Sequence, residues 1–161
     1  MTLRPSTGTL ITVAPTGAEH LKGDLPQMPT TTEELVETAV RCEAAGAALI
    51  HIHRRDAEHR PTLDLGLLRE AVAGVREATD LVVQLSTGGS VHDGYAARLA
   101  VLDAAPDSCS LTCGTVNFGD DIFNNPMPFM SELYVAAQEH EIVPEFEVFE
   151  VGHLWALERL V

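Results

Sequence analysis

The residues best suited to chemistry are His51 and His53, in the run Ala47-Ala48-Leu49-Ile50-His51-Ile52-His53-Arg54-Arg55-Asp56. The run is short, apolar and rich in β-branched side chains, with Gly46 before it and a charged turn after it. That pattern predicts a strand buried in a parallel sheet. Residues two apart on a strand point to the same face, so the two imidazoles converge near the strand's carboxyl end. Two neutral imidazoles in that arrangement can grip a divalent metal from one side. The competing reading is a pair of core or loop histidines satisfied by hydrogen bonds. Asp56, just beyond the two arginines, is either a partner that orients a metal-bound histidine or one half of a surface ion pair.

The elements that must position these groups follow from the hydrophobic pattern. Leu10-Ile11-Thr12-Val13-Ala14 is the first strand candidate, after a polar lead-in over Met1–Thr9, and Pro15-Thr16-Gly17 ends it. A Gly- and Pro-rich loop with Glu19 and His20 runs to Pro29. Thr31 and Glu34 have capping-box spacing and open a helix with Leu35, Ala39 and Cys42 on one stripe, and Gly46 closes it. After the histidine strand the plan repeats. Thr62-Leu63-Asp64 leads into a helix with Leu67, Leu68, Ala71, Val72 and Val75 inward, followed by the strand Leu81–Ser86 and the turn Thr87-Gly88-Gly89-Ser90. A weaker helix from about Tyr95 to Asp103, a strand Ser108–Thr112 and a long loop from Thr115 to Pro126 come next. A helix around Met130–His140, a fifth strand Ile142–Phe149 and a helix from about His153 complete the sequence.

Five strands alternating with helices every roughly 30 residues predict a parallel sheet of βαβ units. Polar residues gather where strands end: Glu19 after the first, His51 and His53 on the second, Ser86 to Gly89 on the third, Thr112 on the fourth and Glu147 on the fifth. The active face of a (β/α)8 barrel is built in this way, whereas an open doubly wound sheet would place its ligand at one switch point. The fold class predicted is therefore α/β, of the (β/α)8 TIM-barrel type. A whole barrel takes about 250 residues, so residues 1–161 are expected to form a single partial domain truncated to roughly the first five βα units.

Bulk properties exclude several classes. A formal net charge of −14, from 24 acidic and 10 basic residues, argues against nucleic acid or an anionic membrane surface as partner. It leaves anionic small molecules open, because a local arginine or metal overrides the global field. No apolar run approaches a membrane span and no signal peptide is apparent. Cys42, Cys109 and Cys113 are odd in number and lack Cys-x-x-Cys spacing, as expected of buried thiols in a reducing cytoplasm.

Five motifs occur in one order: Ala14-Pro15-Thr16-Gly17-Ala18-Glu19, His51-Ile52-His53-Arg54-Arg55-Asp56, Ser86-Thr87-Gly88-Gly89, Asn117-Phe118-Gly119 and Pro144-Glu145-Phe146-Glu147. Together they resemble the β-keto acid cleavage enzymes, the family of 3-keto-5-aminohexanoate cleavage enzyme, over nearly the whole chain. The resemblance implies a zinc-dependent barrel that reacts a β-keto acid with acetyl-CoA, giving acetoacetate and a new acyl-CoA. By the same resemblance His51 and His53 would be zinc ligands. Glu19, Ser86, Gly89 and Thr112 would line the substrate site, with Ser110 as the fallback for Thr112. Glu147 would be the acidic residue near the catalytic centre, with Glu145 the second choice. The family's third zinc ligand is a Glu on a late strand, near an Asp and an Arg, and all three would fall beyond Val161. A two-histidine site is then expected to fill its sphere with water or to recruit Glu19 or Glu147.

The chain is accordingly expected to be the N-terminal portion of such an enzyme, inactive alone or stabilised as a homo-oligomer, with an exposed apolar inner face and a free fifth-strand edge. Two other readings stand beside it. One is a metallohydrolase barrel, which also uses His-x-His but on its first strand. The other is an inactive partial barrel serving as an oligomerising subunit. Several residues have plainer readings as well: Ser86–Gly89 as a tight turn, Glu145 and Glu147 as edge carboxylates, Asp120-Asp121 as a solvated loop, and His20, His59, His92, His140 and His153 as surface groups.

Overall fold

The computed structural model describes residues 8–161. The polar lead-in and the N-terminal stretch behind the signal-peptide reading fall, up to residue 7, outside the described residues. Chain order is β1 (Thr12–Val13), α1 (Thr32–Ala44), β2 (Leu49–Ile52), α2 (Leu65–Ala78), β3 (Val82–Leu85) and α3 (Tyr95–Ala100), which tightens into a 3-10 turn over Val101–Ala104. Then come β4 (Ser108–Thr112), β5 (Val116–Phe118), β6 (Asp121–Phe123), α4 (Met127–Glu139), β7 (Val143–Glu147) and α5 (Val151–Leu160).

Local chemistry sets the helix boundaries. Thr31 caps α1 by accepting from Glu34 N–H while the Glu34 carboxylate takes Thr31 N–H, a reciprocal capping box. At the other end Gly46 adopts φ +100°, and Ala47 N–H reaches back to Cys42 O, the turn that glycine makes without steric cost. Asp64 caps α2 through Leu67 N–H.

β1, β2, β3, β4 and β7 form one parallel sheet in that order. Each strand lies beside its predecessor and the order never reverses, which is barrel connectivity rather than a doubly wound sheet. One face carries Ile50, Ile52, Val83 and Leu85 against Leu35, Ala39, Leu68, Val72 and Val75 of α1 and α2. Further along the same face Cys109 and Leu111 pack against Phe129, Met130, Leu133 and Ala137 of α4.

Alternation then assigns the other face to His51, Gln84, Ser86, Ser108, Ser110, Thr112, Glu145 and Glu147. This corrects the expected apolar inner face: from its middle layer upward it is polar, and exposed apolar groups such as Val82 and Val143 sit at its amino end. β7 pairs with β4 alone, leaving the expected free edge. Val143 N–H donates to Asp107 O of the β4 side, so by alternation the N–H missing at Pro144 faces the open edge, where a sheet tolerates proline. The segment read as a loop over Thr115–Pro126 holds an antiparallel hairpin, β5–β6, turning at Gly119 with φ +63°. β1 has two residues rather than the expected five.

Candidate active site at the carboxyl ends of the strands

His51 lies on the inner face of β2 and His53 just past its end. Their Nε2 atoms are 3.1 Å apart and the rings meet edge to face at 64°. Two nitrogens each about 2.05 Å from a tetrahedral zinc would stand about 3.3 Å apart, so the pair fits two adjacent positions of such a sphere. Gln84 Oε1 lies 2.5 Å from His51 Nδ1, and Thr16 Oγ1 accepts from His53 N–H at 3.0 Å. Burial, reinforced by His51 and Arg55, pushes the His53 pKa down to about 3, so its ring is held in the neutral form that ligates metals. Its Nδ1 is buried without a partner.

Among the described residues, no group of three or more His, Cys, Asp or Glu side chains gathers to hold an ion. Glu147 Oε2 accepts from Thr112 Oγ1 at 2.5 Å, and Glu19 is exposed.

Beside the histidines a cleft of about 200 Å³, partly open to solvent, brings together His53, Ser86, Gly89, Ser110, Thr112 and Glu147. Phe118, Phe123 and Phe149 form its apolar side. Glu19 is the one expected substrate-site residue outside this cleft; it lines an adjoining depression with Gly89 and Phe118. Ser110 and Thr112 both face the cleft, so the fourth strand offers two hydroxyls where one was expected. Close packing accounts for the glycines. A Cβ on Gly88 would lie 2.6 Å from Phe123 Cζ, and one on Gly89 would lie 2.7 Å from Asp93 Oδ2. Ser86 Oγ donates to Gly88 O and accepts from Gly88 N–H, and Thr87 Oγ1 donates to Ser110 O, which ties this turn to β4.

Arg98 underpins the cleft from below. Its guanidinium donates to Thr87 O, Asn124 O and Asn125 Oδ1, and lies 4.4 Å from the ring centres of both Phe123 and Phe129. The Ser86–Gly89 turn and the β5–β6 hairpin are thereby clamped to one cation. Arg54 and Arg55 are buried in structural roles: Arg54 donates to Thr30 O and Thr32 Oγ1, and Arg55 to Gly17 O.

Two sequence readings need correcting. Asp56 does not orient a histidine, because its carboxylate accepts from Glu58 N–H, Arg60 N–H and Arg60 Nε within its own turn. Gln84 occupies the position against His51 instead. His153 is buried rather than a surface group: its Nδ1 accepts from Phe149 N–H, and its ring fills the space that a Cβ on Gly114 would need. Gln84 and Arg98 were missed. Their signal was a polar residue inside an apolar strand, and an arginine on the inner side of a short helix.

A parallel, singly wound βα sheet with hydroxyls, carboxylates and a histidine pair at its carboxyl ends defines a barrel-type enzyme site. The chain belongs to the beta-keto acid cleavage enzyme family, whose model matches residues 9–161. It is 37% identical over 145 residues to a 3-keto-5-aminohexanoate cleavage enzyme of Fusobacterium nucleatum, covering 89% of this chain and 53% of that protein. It is 33% identical over 147 residues to a 3-oxoadipate:acetyl-CoA acetyltransferase of Cupriavidus necator, covering 91% of this chain and 51% of that one. The chain thus spans about half the length of the curated relatives it matches. In fold it is similar to the apo structure of ObcA, with a TM-score of 0.74 and 24% identity over 84% of this chain and 34% of that one. No helix among the described residues is long and apolar enough to cross a membrane.

Proposed function

We propose that this chain carries the amino-terminal half of a site that cleaves a β-keto acid with acetyl-CoA, giving acetoacetate and a new acyl-CoA. The observation that supports this reading best is the convergence of His53, Ser86, Gly89, Ser110, Thr112 and Glu147, from four strands and the turns after them, on one cleft. Family membership and the named chemistry of the relatives point the same way.

The side chains divide the work. His51 and His53 would hold a zinc ion, which when bound polarises the β-keto oxygen and stabilises an enolate. The Ser110 hydroxyl and the Gly89 N–H present donors to the substrate carboxylate, and Thr112, whose one proton goes to Glu147, lines the site beside them. Glu147, held by Thr112, is positioned to accept or return a proton at the substrate carbon flanking the bond that breaks. Glu19 lines the depression that adjoins the cleft at Gly89 and Phe118. The phenylalanine side offers apolar surface to the carbon skeleton of the substrate. The three free thiols suit a reducing, cytoplasmic setting.

The test is the zinc content of the purified, dialysed protein, with His51→Ala as control, followed by an acetoacetate-forming assay on a β-keto acid with acetyl-CoA. About one zinc per chain, lost in the control, together with acetoacetate that depends on Glu147, supports the reading. Absence of both zinc and turnover overturns it for this chain.

A further inference from the structure

We infer that Glu145 on β7 and Gln84 on β3, reaching each other across β4, act together as positioning residues that select the tautomer of His51. Gln84 is 1% exposed and sits on the inner face of β3, in register with His51 on β2 and Ser108 on β4. Its Nε2 lies 2.9 Å from Ser108 Oγ and 3.2 Å from Glu145 Oε2, and its Oε1 lies 2.5 Å from His51 Nδ1. The two ends of a side-chain amide exchange by a flip, so something must decide which end faces the histidine.

A serine hydroxyl both donates and accepts and does not decide. A carboxylate has only acceptors, so Glu145 requires the NH2 end of Gln84. Gln84 Oε1 must then face His51, and an oxygen accepts only from Nδ1–H. His51 Nε2 is consequently left bare, and this is the atom 3.1 Å from His53 Nε2. A carboxylate on β7 thereby prepares the lone pair that would bind a metal on β2, without touching the histidine. With Glu145 absent the amide is free to flip, and Gln84 N–H would then force the proton onto His51 Nε2, where it blocks the pair.

The experiment is ¹⁵N NMR of the histidine side chains in the metal-free protein, comparing the native chain with Glu145→Leu. Glu145 is exposed on an edge strand, so this variant keeps the fold. Gln84→Leu is the second variant, with backbone amide dispersion as the check on folding. The expected result is an Nδ1–H, bare-Nε2 His51 in the native chain and a mixture of tautomers in Glu145→Leu. A native His51 protonated at Nε2, or a tautomer unchanged in Glu145→Leu, overturns the inference.

A second arm rests on the zinc reading above and uses cobalt(II) alone as the probe, followed by its visible absorption. Glu145→Leu should weaken binding about 10- to 100-fold. Equal affinity in both proteins overturns the inference. A native chain that binds no cobalt but shows the expected tautomers removes the metal reading and leaves the tautomer selection standing.

Discussion

Replacing Arg98 by methionine removes the cation that joins the Ser86–Gly89 turn to the β5–β6 hairpin. Three acceptors lose their donor: Thr87 O, Asn124 O and Asn125 Oδ1. Hydrogen bonds to a charged group contribute about 1.5–3 kcal/mol each, so the gross loss is about 4.5–9 kcal/mol. Against this stands the cost of burying the charge. Burial pushes the guanidinium from 12.5 down to about 10, a penalty of about 3 kcal/mol that methionine avoids. Methionine also keeps about 1 kcal/mol of sulfur contact with Phe123 and Phe129 where the cation stacked. The balance is a destabilisation of about 3 kcal/mol, a large share of an ordinary domain's stability.

Urea unfolding followed by circular dichroism measures that loss, and limited proteolysis across residues 115–126 reports where it is felt. Arg98→Lys should fall close to the methionine variant, because one ammonium does not span three separated acceptors or stack between two rings. A methionine variant with native midpoint and native cleavage rate would refute the clamp.

Gly88→Ala should cost about 1–3 kcal/mol and displace Phe123 from the cleft wall, because the new methyl would sit 2.6 Å from its ring; thermal melts with an aromatic NMR spectrum check both. Thiol labelling of the folded chain should modify Cys42 far faster than the other two. Cys109 is buried with its pKa pushed up to about 12, and burial raises Cys113 as well; equal rates at all three would contradict this packing. Lys22, with Thr30 N–H, lowers the Glu34 pKa to about 2 from 4.5. A depressed carboxylate stabilises above its unfolded pKa, so this contribution is present above 4.5 and is lost as pH falls toward 2. Glu34 is partly exposed, so solvent screening reduces the loss to about 1 kcal/mol. Glu34→Gln should flatten the stability profile in that window, and an unchanged acid limb in stability measurements would count against the Lys22–Glu34 and Thr30–Glu34 contacts.

What was legible in the sequence is what depends on neighbours along the chain. The capping box at Thr31–Glu34, the helix that follows Thr62-Leu63-Asp64 and the strand Ser108–Thr112 each arise within a few residues, and each appears in the structure. The order of the motifs placed the cleft, because every strand of a βα unit brings its carboxyl end to the same side. The β5–β6 hairpin had its signal too, since Gly119-Asp120 stands between Val116-Asn117-Phe118 and Asp121-Ile122-Phe123; the wider loop reading passed over it. Of the two readings of Asp56 the surface ion pair holds, with Arg60, and His153 was misread as a surface group because no motif surrounds it. Asp56 is satisfied by its own turn, and His153 is drawn inward by a space that Gly114, on another element, leaves open.

Gln84 marks where reading along the chain ends. Within Leu-Val-Val-Gln-Leu-Ser it is one polar group in an apolar strand, and burying an amide without partners costs several kcal/mol, so partners had to exist. Their identity depends on register. His51 is opposite Gln84, which is opposite Ser108, and Ser110 is opposite Glu145. Sliding any one strand by a single residue would turn its set toward the helices and leave the amide unpaired. The same alternation that buries Ile50, Val83 and Leu111 against the helices therefore aligns the polar row on the opposite face. Packing on one side and the His51–Gln84–Glu145 relay on the other are two consequences of one register. A core substitution that shifts β3 should disturb His51 as surely as removing Gln84 itself.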